Sequence, residues 1–213
     1  MPFFLHHIKL SKAIVITMVS IYMYGSSVAQ VKISKAATYT QHLDSFQKKY
    51  VLNHEVVLQQ DKKYIIFFRI NQQFCIKATF TRTLDSIGFI MKTANNGAQT
   101  YFVYGSIQFI LNGQQQQMFL YQSRMSMQMP KYKNYLFLPF LDATSAEESY
   151  GGGRYIDVLS TDIKNNTIII DFNKAYNPYC AYANGYKCPI PPKENILTIA
   201  IKAGEKMYGK QVH

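Results

Sequence analysis

A chain of 213 residues that is 48% hydrophobic and only 16% charged can bury a core, which excludes a disordered tail. At roughly one domain per 100–200 residues, it has room for one domain or two small ones. Its formal net charge of +11 suits anionic surface polymers or lipid head groups, or serves solubility alone, and packing rests on 17 Tyr and 14 Phe without Trp.

Residues 1–29 read as a secretory signal peptide. His6, His7, Lys9 and Lys12 form a basic start, and Ala13–Tyr24 is an uncharged apolar run of 12 residues. A membrane span needs about 20 residues. Ser27-Val28-Ala29 is a small-x-small cleavage site before Gln30. The expected protein is therefore periplasmic or secreted, with residues 30–213 as a single domain and no membrane span after signal cleavage. Removing residues 1–29, with their two Lys, leaves a charge of +9. The remaining Lys are scattered, and the Arg are only Arg69, Arg82, Arg124 and Arg154. Base readout and phosphate clamping favour Arg clusters, so no nucleic acid is expected as a partner.

Past the lead, Tyr39, Leu43, Phe46 and Tyr50 recur at helical spacing, with Thr38 as a candidate N-cap. The period then changes to two. Tyr64–Arg69, Phe74–Thr81, Ile87–Met91 and Tyr101–Leu111 read as strands, with Gly105 as a bulge or bend. Asn112-Gly113 is a hairpin dipeptide with Gln117–Ser123 as the return strand, and Gln114–Gln117 is expected in the turn. Leu136–Phe140 follows. Tyr155–Leu159 and Thr167–Phe172 are expected to form a second hairpin around Asn165-Asn166, and Leu197–Lys202 closes the set. About nine short strands with turn chemistry between them predict a mainly β fold. The expected architecture is a single antiparallel β-sandwich or barrel-like domain with an N-terminal amphipathic helix.

The segment from Tyr135 onward carries long polar motifs: Leu136–Ser145, Tyr150–Tyr155, Asp171–Tyr182, Cys188–Asn195 and Ala203–Glu205. On these residues the chain resembles an uncharacterised bacterial and archaeal family, a domain of unknown function. The resemblance covers about the last two-thirds of the chain and extends more weakly to the helix with His54-Glu55. Members of that family often carry Gly where this chain has Ala146. The resemblance implies kinship without an activity.

Several residues in this segment are candidates for ligand binding: Asp142, Glu148, Arg154, Asp171, Asn173, Asn177, Glu194 and Asn195. Arg154, preceded by Gly151-Gly152-Gly153, could clamp a carboxylate or phosphate, or form a structural ion pair with Asp142 or Glu148. Asp171, Asn173 and Asn177 could hold loop backbone or present polar groups to a ligand. Export and spacing favour a Cys180–Cys188 disulfide, with Cys75 as a buried small apolar residue. No metal is expected, since neither Cys belongs to a C-x-x-C knuckle and the remaining His are His42, His54 and His213. No cofactor is implied.

The leading expectation is a non-enzymatic binding module for a small molecule or envelope glycan. One alternative is a hydrolase-like enzyme using an Asp142/Arg154/Asp171/Asn177/Glu194 cluster. Another is a thiol activity at Cys180, with His54 as base and Asn177 orienting it, which a Cys180–Cys188 bridge would abolish.

Overall fold

The structure, a computed structural model, describes residues 37–210. The expected signal peptide, the lead up to residue 36, and His213 lie outside the described residues. The chain divides into two compact units, residues 1–42 and 43–213. Of the first, the described residues 37–42 are helical. The second holds the sheet, the core and every site described below.

Helix α1 covers residues 37–52. Leu43 is fully buried, and Phe46 and Tyr50 follow on the same face at helical spacing. Thr38 lies inside the helix. The helix closes where the Asn53 amide donates to the Lys49 carbonyl, which delivers His54 into a buried position just beyond the last turn.

Seven strands follow: β1 (Cys75–Arg82), β2 (Phe89–Lys92), β3 (Ala98–Leu111), β4 (Gln114–Ser123), β5 (Tyr135–Phe140), β6 (Arg154–Leu159) and β7 (Thr167–Asp171). They form one antiparallel sheet in the order β6-β5-β4-β3-β1-β7, with β2 also paired to β3. The sheet curls into a half-barrel, so the barrel-like form of the expectation holds. Alternate residues point into the concave face, where Ile76, Ala78 and Phe80 meet Ile107, Phe109, Leu120, Leu138 and Ile170.

The β3–β4 hairpin turns on two residues. Asn112 and Gly113 have φ of 52° and 77°, and Leu111 pairs with Gln114. Positive φ at both central residues matches the right-handed strand twist. Gln114–Gln117 is therefore strand, not turn. The pairing slips between Val103 and Gly105, which is the expected bulge. A Cβ at Gly105 would stand 2.5 Å from the Phe80 ring, so the bend requires glycine.

Three local expectations are corrected. The β6 and β7 strands do not pair: β6 lies beside β5 at one edge and β7 beside β1 at the other. Asn165-Asn166 makes only a local reversal that joins Lys164 to Thr167. Leu197–Lys202 alternates as expected, burying Leu197, Ile199 and Ile201, but it is not one of the seven strands. Among the described residues it pairs only with residues 141–143 just past β5, through the Leu197 amide and the Ile199 carbonyl. The Ile201 amide donates to the Asp142 carboxylate instead. Tyr64–Arg69 is likewise extended chain after a 3-10 turn at Gln59–Tyr64, with one bridge from Phe67 to Glu205.

Candidate functional site

The five residues of the hydrolase alternative do not meet in one cavity. Arg154 and Asp142 are fully buried and pair at 2.8 Å. The Arg154 guanidinium also donates to the carbonyls of Ile201, Ala203 and Glu205, and it lies between the rings of Phe68 and Phe140. Asp142 accepts from the amides of Thr144 and Ile201 through Oδ1. This network ties the last segment of the chain onto the sheet. A buried charge must be paired and hydrogen-bonded, and here nearly every group is spent on that task.

Asp171 caps the 3-10 turn after β7 by accepting from the Asn173 amide. Asn173 clasps both backbone groups of Asn71 at 2.9 Å. Asn195 does the same for Phe119 and also donates to the Pro139 carbonyl. Glu194 is exposed, and Glu148 pairs at the surface with Lys202 at 2.7 Å. The five-residue hydrolase cluster is therefore dispersed, and only Asn177 among its members lines the principal cavity. Cys180 and Cys188 are bridged, with Cα atoms 6.3 Å apart, which removes the thiol reading. Cys75 is half-buried rather than buried.

The cavity itself measures about 750 Å³. Three walls enclose it. The end of α1 and the turn after it contribute Phe46, Lys49, Tyr50, Asn53, His54 and Glu55. The sheet contributes Gln99 and Tyr101 from β3, Phe137 from β5 and Tyr155 from β6. The third wall is Tyr176–Tyr179 with Tyr186–Pro189, the loop that the disulfide clamps. Aromatic rings touch around the walls: Tyr101 with Phe137, Phe137 with Tyr155, Tyr155 with Tyr176, and Tyr176 with Tyr50.

The phenol hydroxyls are mostly committed elsewhere. Tyr176 donates to Asp157 at 2.7 Å, Tyr155 to the Pro189 carbonyl, Tyr101 to Gln99, and Tyr50 to Glu205. Burial raises the Tyr101 pKa to about 12 and holds Tyr50, Tyr155 and Tyr176 higher still, so all stay neutral. The rings thus serve the cavity as apolar, stacking surface.

Two buried polar atoms of the lining lack a protein partner. His54 accepts the Val57 amide at Nδ1, 3.1 Å away, which puts the ring proton on Nε2. Burial pushes its pKa down to about 4, so it is neutral at pH 7, and Nε2 has no hydrogen-bond partner. Asn177 donates from Nδ2 to the Lys206 carbonyl, which leaves its Oδ1 as the unpartnered atom. The lining thus holds one spare donor and one spare acceptor among aromatic rings.

Behind Tyr50 lies Glu205, a fully buried carboxyl that the residue-by-residue sequence reading passed over. Its oxygens accept from the Tyr182 hydroxyl at 2.6 Å, the Asn177 amide at 2.9 Å and the Tyr50 hydroxyl at 3.3 Å. Burial outweighs these donors and raises its pKa to about 7. The signal available in sequence was the Ala203–Glu205 motif at the end of an apolar segment.

A curled β half-barrel with an aromatic, sparsely polar cavity defines a mainly β pocket domain. The chain belongs to the family described as "Protein of unknown function (DUF1684)", which matches residues 61–206. The matched span takes in the sheet, the disulfide loop and Glu205, while Tyr50 and His54 precede it. No curated protein matches. The solution NMR structure of an uncharacterised protein from Haloarcula marismortui is similar, with a TM-score of 0.61 and 24% identity. That similarity covers 81% of this chain and 96% of the other, and it shows a shared fold.

Proposed function

We propose that this protein is an exported, non-enzymatic binding module that takes a small molecule or envelope glycan into the aromatic cavity. The observation that carries the reading is the pairing of a cavity of about 750 Å³ with two buried, unpartnered polar atoms in its lining, His54 Nε2 and Asn177 Oδ1. Buried polar groups without partners cost stability, and a ligand that supplies an acceptor and a donor relieves that cost. Cavities of this size, mostly apolar with a few fixed polar groups, suit small ligands. Aromatic faces with a donor and an acceptor fit a pyranose ring or a planar polar molecule. The charged lining residues are Lys49, Glu55 and Lys187, which admit a neutral or singly anionic ligand.

The test is a binding screen by NMR with mono- and disaccharides, amino sugars and aromatic carboxylates as probes. A bound probe should shift resonances of Tyr155 and Tyr176. His54→Leu, which keeps the bulk and removes the donor, should weaken a bound probe about tenfold, the worth of one hydrogen bond. Binding that is indifferent to both His54→Leu and Tyr186→Ala would place the ligand elsewhere and end this reading.

A further inference from the structure

On the opposite face of the strand that supplies Gln99 and Tyr101 to the cavity, the surface is apolar and basic. Thr100 and Phe102 alternate with those residues and point the other way. Ile90 pairs with Thr100 and stands on their face. On one side of β3, the loop into β2 exposes Leu84 (93%) and Ile87 (87%), with Ile90 beyond them. On the other side, the short helix α2 (Arg124–Gln128) and the residue after it expose Met125 (70%), Met127 and Met129. The Phe102 ring joins the two segments. A Cβ at Gly88 would stand 2.9 Å from it, and the Arg124 guanidinium lies 5.6 Å from its centre.

Cations surround this patch. Arg82 and Lys92 flank the first segment, and Arg124, Lys131 and Lys133 lie in or just after the second. All five are exposed. The one acid in the two segments is Asp85, whose carboxylate accepts the amides of Ile87, Gly88 and Val103 and so folds the loop. Large apolar side chains at such exposure, held in two adjoining segments, mark an interaction surface rather than scattered surface residues.

We propose that this face docks peripherally on an anionic lipid bilayer. Leu84, Ile87 and the methionines of the second segment that share their side enter the boundary between headgroups and acyl chains. Lys92, Arg124, Lys131 and Lys133 sit among the lipid phosphates, while Arg82 is stacked on Tyr104 and bonded to the Thr83 and Tyr104 carbonyls. Buried apolar area and attraction to anionic headgroups add in this mode, and a zwitterionic surface supplies only the first. The net positive charge selects a lipid surface over a second copy of this chain, which would bring like charges together. The proposal stands apart from the ligand reading, because the cavity opens on the other face of β3.

The experiment is co-sedimentation of the full chain with vesicles of phosphatidylglycerol and phosphatidylethanolamine, and separately of phosphatidylcholine alone. The full chain should sediment with the anionic vesicles at least tenfold more tightly than with phosphatidylcholine. About 0.5 M salt should weaken it, because the Debye length then falls to a few ångströms. Two variants divide the contributions: Leu84→Asp with Ile87→Asp, and Arg124→Glu with Lys131→Glu and Lys133→Glu. Each should weaken binding about tenfold or more while the circular dichroism spectrum stays unchanged. Should an aspartate pair perturb the loop, Met125→Ser with Met127→Ser and Met129→Ser tests the same apolar contribution. All variants share residues 1–36, so a loss belongs to the patch. Equal sedimentation with both vesicle types, no sedimentation, or binding indifferent to the variants would overturn the proposal. So would gel filtration showing a dimer that the variants dissociate, since a second copy would then be the occupant.

Discussion

The Tyr50 hydroxyl donates to Oε2 of Glu205 at 3.3 Å across a separation of 155 residues, which connects the cavity wall to a buried carboxyl near the end of the chain. His54 packs edge-on against the same Tyr50 ring, with centroids 5.6 Å apart. One base with a lowered pKa in the wall and one acid with a raised pKa behind it therefore both contact Tyr50, and their effects on stability oppose each other.

Glu205 titrates near pH 7 when folded and near 4.5 when unfolded. Its contribution is fully present below pH 4.5 and is lost as pH rises through 7. His54 titrates near pH 4 when folded and near 6.5 when unfolded. Its contribution is fully present above pH 6.5 and is lost as pH falls through 4. Between pH 4.5 and 6.5 the two slopes cancel. Glu205→Gln should unmask His54, so that stability falls by about 3 kcal/mol on acidification from pH 6.5 to 4. His54→Phe should unmask Glu205, so that stability rises by a similar amount between pH 7 and 4.5. Urea unfolding at four pH values, compared with the parent chain, measures both. Parallel profiles in all three proteins would contradict the assignment.

The Asp142–Arg154 pair predicts an asymmetry. Arg154→Met leaves Asp142 buried and charged without its partner, which should cost about 3–5 kcal/mol. Adding Asp142→Asn keeps an oxygen for the Thr144 and Ile201 amides and removes the charge. The double variant should recover at least half of the loss in urea unfolding. Additive costs would mean that the two residues act independently.

The disulfide spans a sequence separation of 8 and holds one cavity wall. Loop-closure entropy for so short a loop gives roughly 2–3 kcal/mol. Cys180→Ser with Cys188→Ser should lower stability by about that amount, and the signals of Tyr179 and Tyr186 should broaden. Mass spectrometry of the unreduced protein should show the Cys180–Cys188 linked peptide.

Ala146 has φ of 69°, in the left-handed region. A residue with a Cβ there costs about 1–2 kcal/mol. Glycine removes that strain at some cost in unfolded-chain entropy. Ala146→Gly should therefore stabilise the protein by about 0.5–1 kcal/mol, raising Tm by roughly 1–4 °C in thermal unfolding. A fall in Tm would show that the Ala146 methyl contributes more through its contacts than its conformation costs.

What the amino-acid order determined by itself is local. The Leu43, Phe46 and Tyr50 spacing specifies helix α1 because side chains three and four apart share a face. Asn112-Gly113 specifies the β3–β4 turn because both positions need positive φ, and Gly105 specifies the bulge because no Cβ fits. The Cys180–Cys188 bridge follows from spacing and the turn between the two residues. In each case the deciding interaction spans a few residues.

Tertiary packing decided the rest. Asn165-Asn166 reverses the chain, but a reversal does not choose a strand's neighbour, and β7 pairs with β1 at the opposite edge of the sheet from β6. Leu197–Lys202 carries a strand's alternation, yet its Ile201 amide meets a carboxylate rather than a ladder. Asp142, Arg154, Asn173 and Asn195 look the same in sequence whether they face a ligand or a backbone. Only burial, the product of contacts across the whole fold, assigned them to the backbone and left His54 and Asn177 beside the cavity with polar atoms to spare.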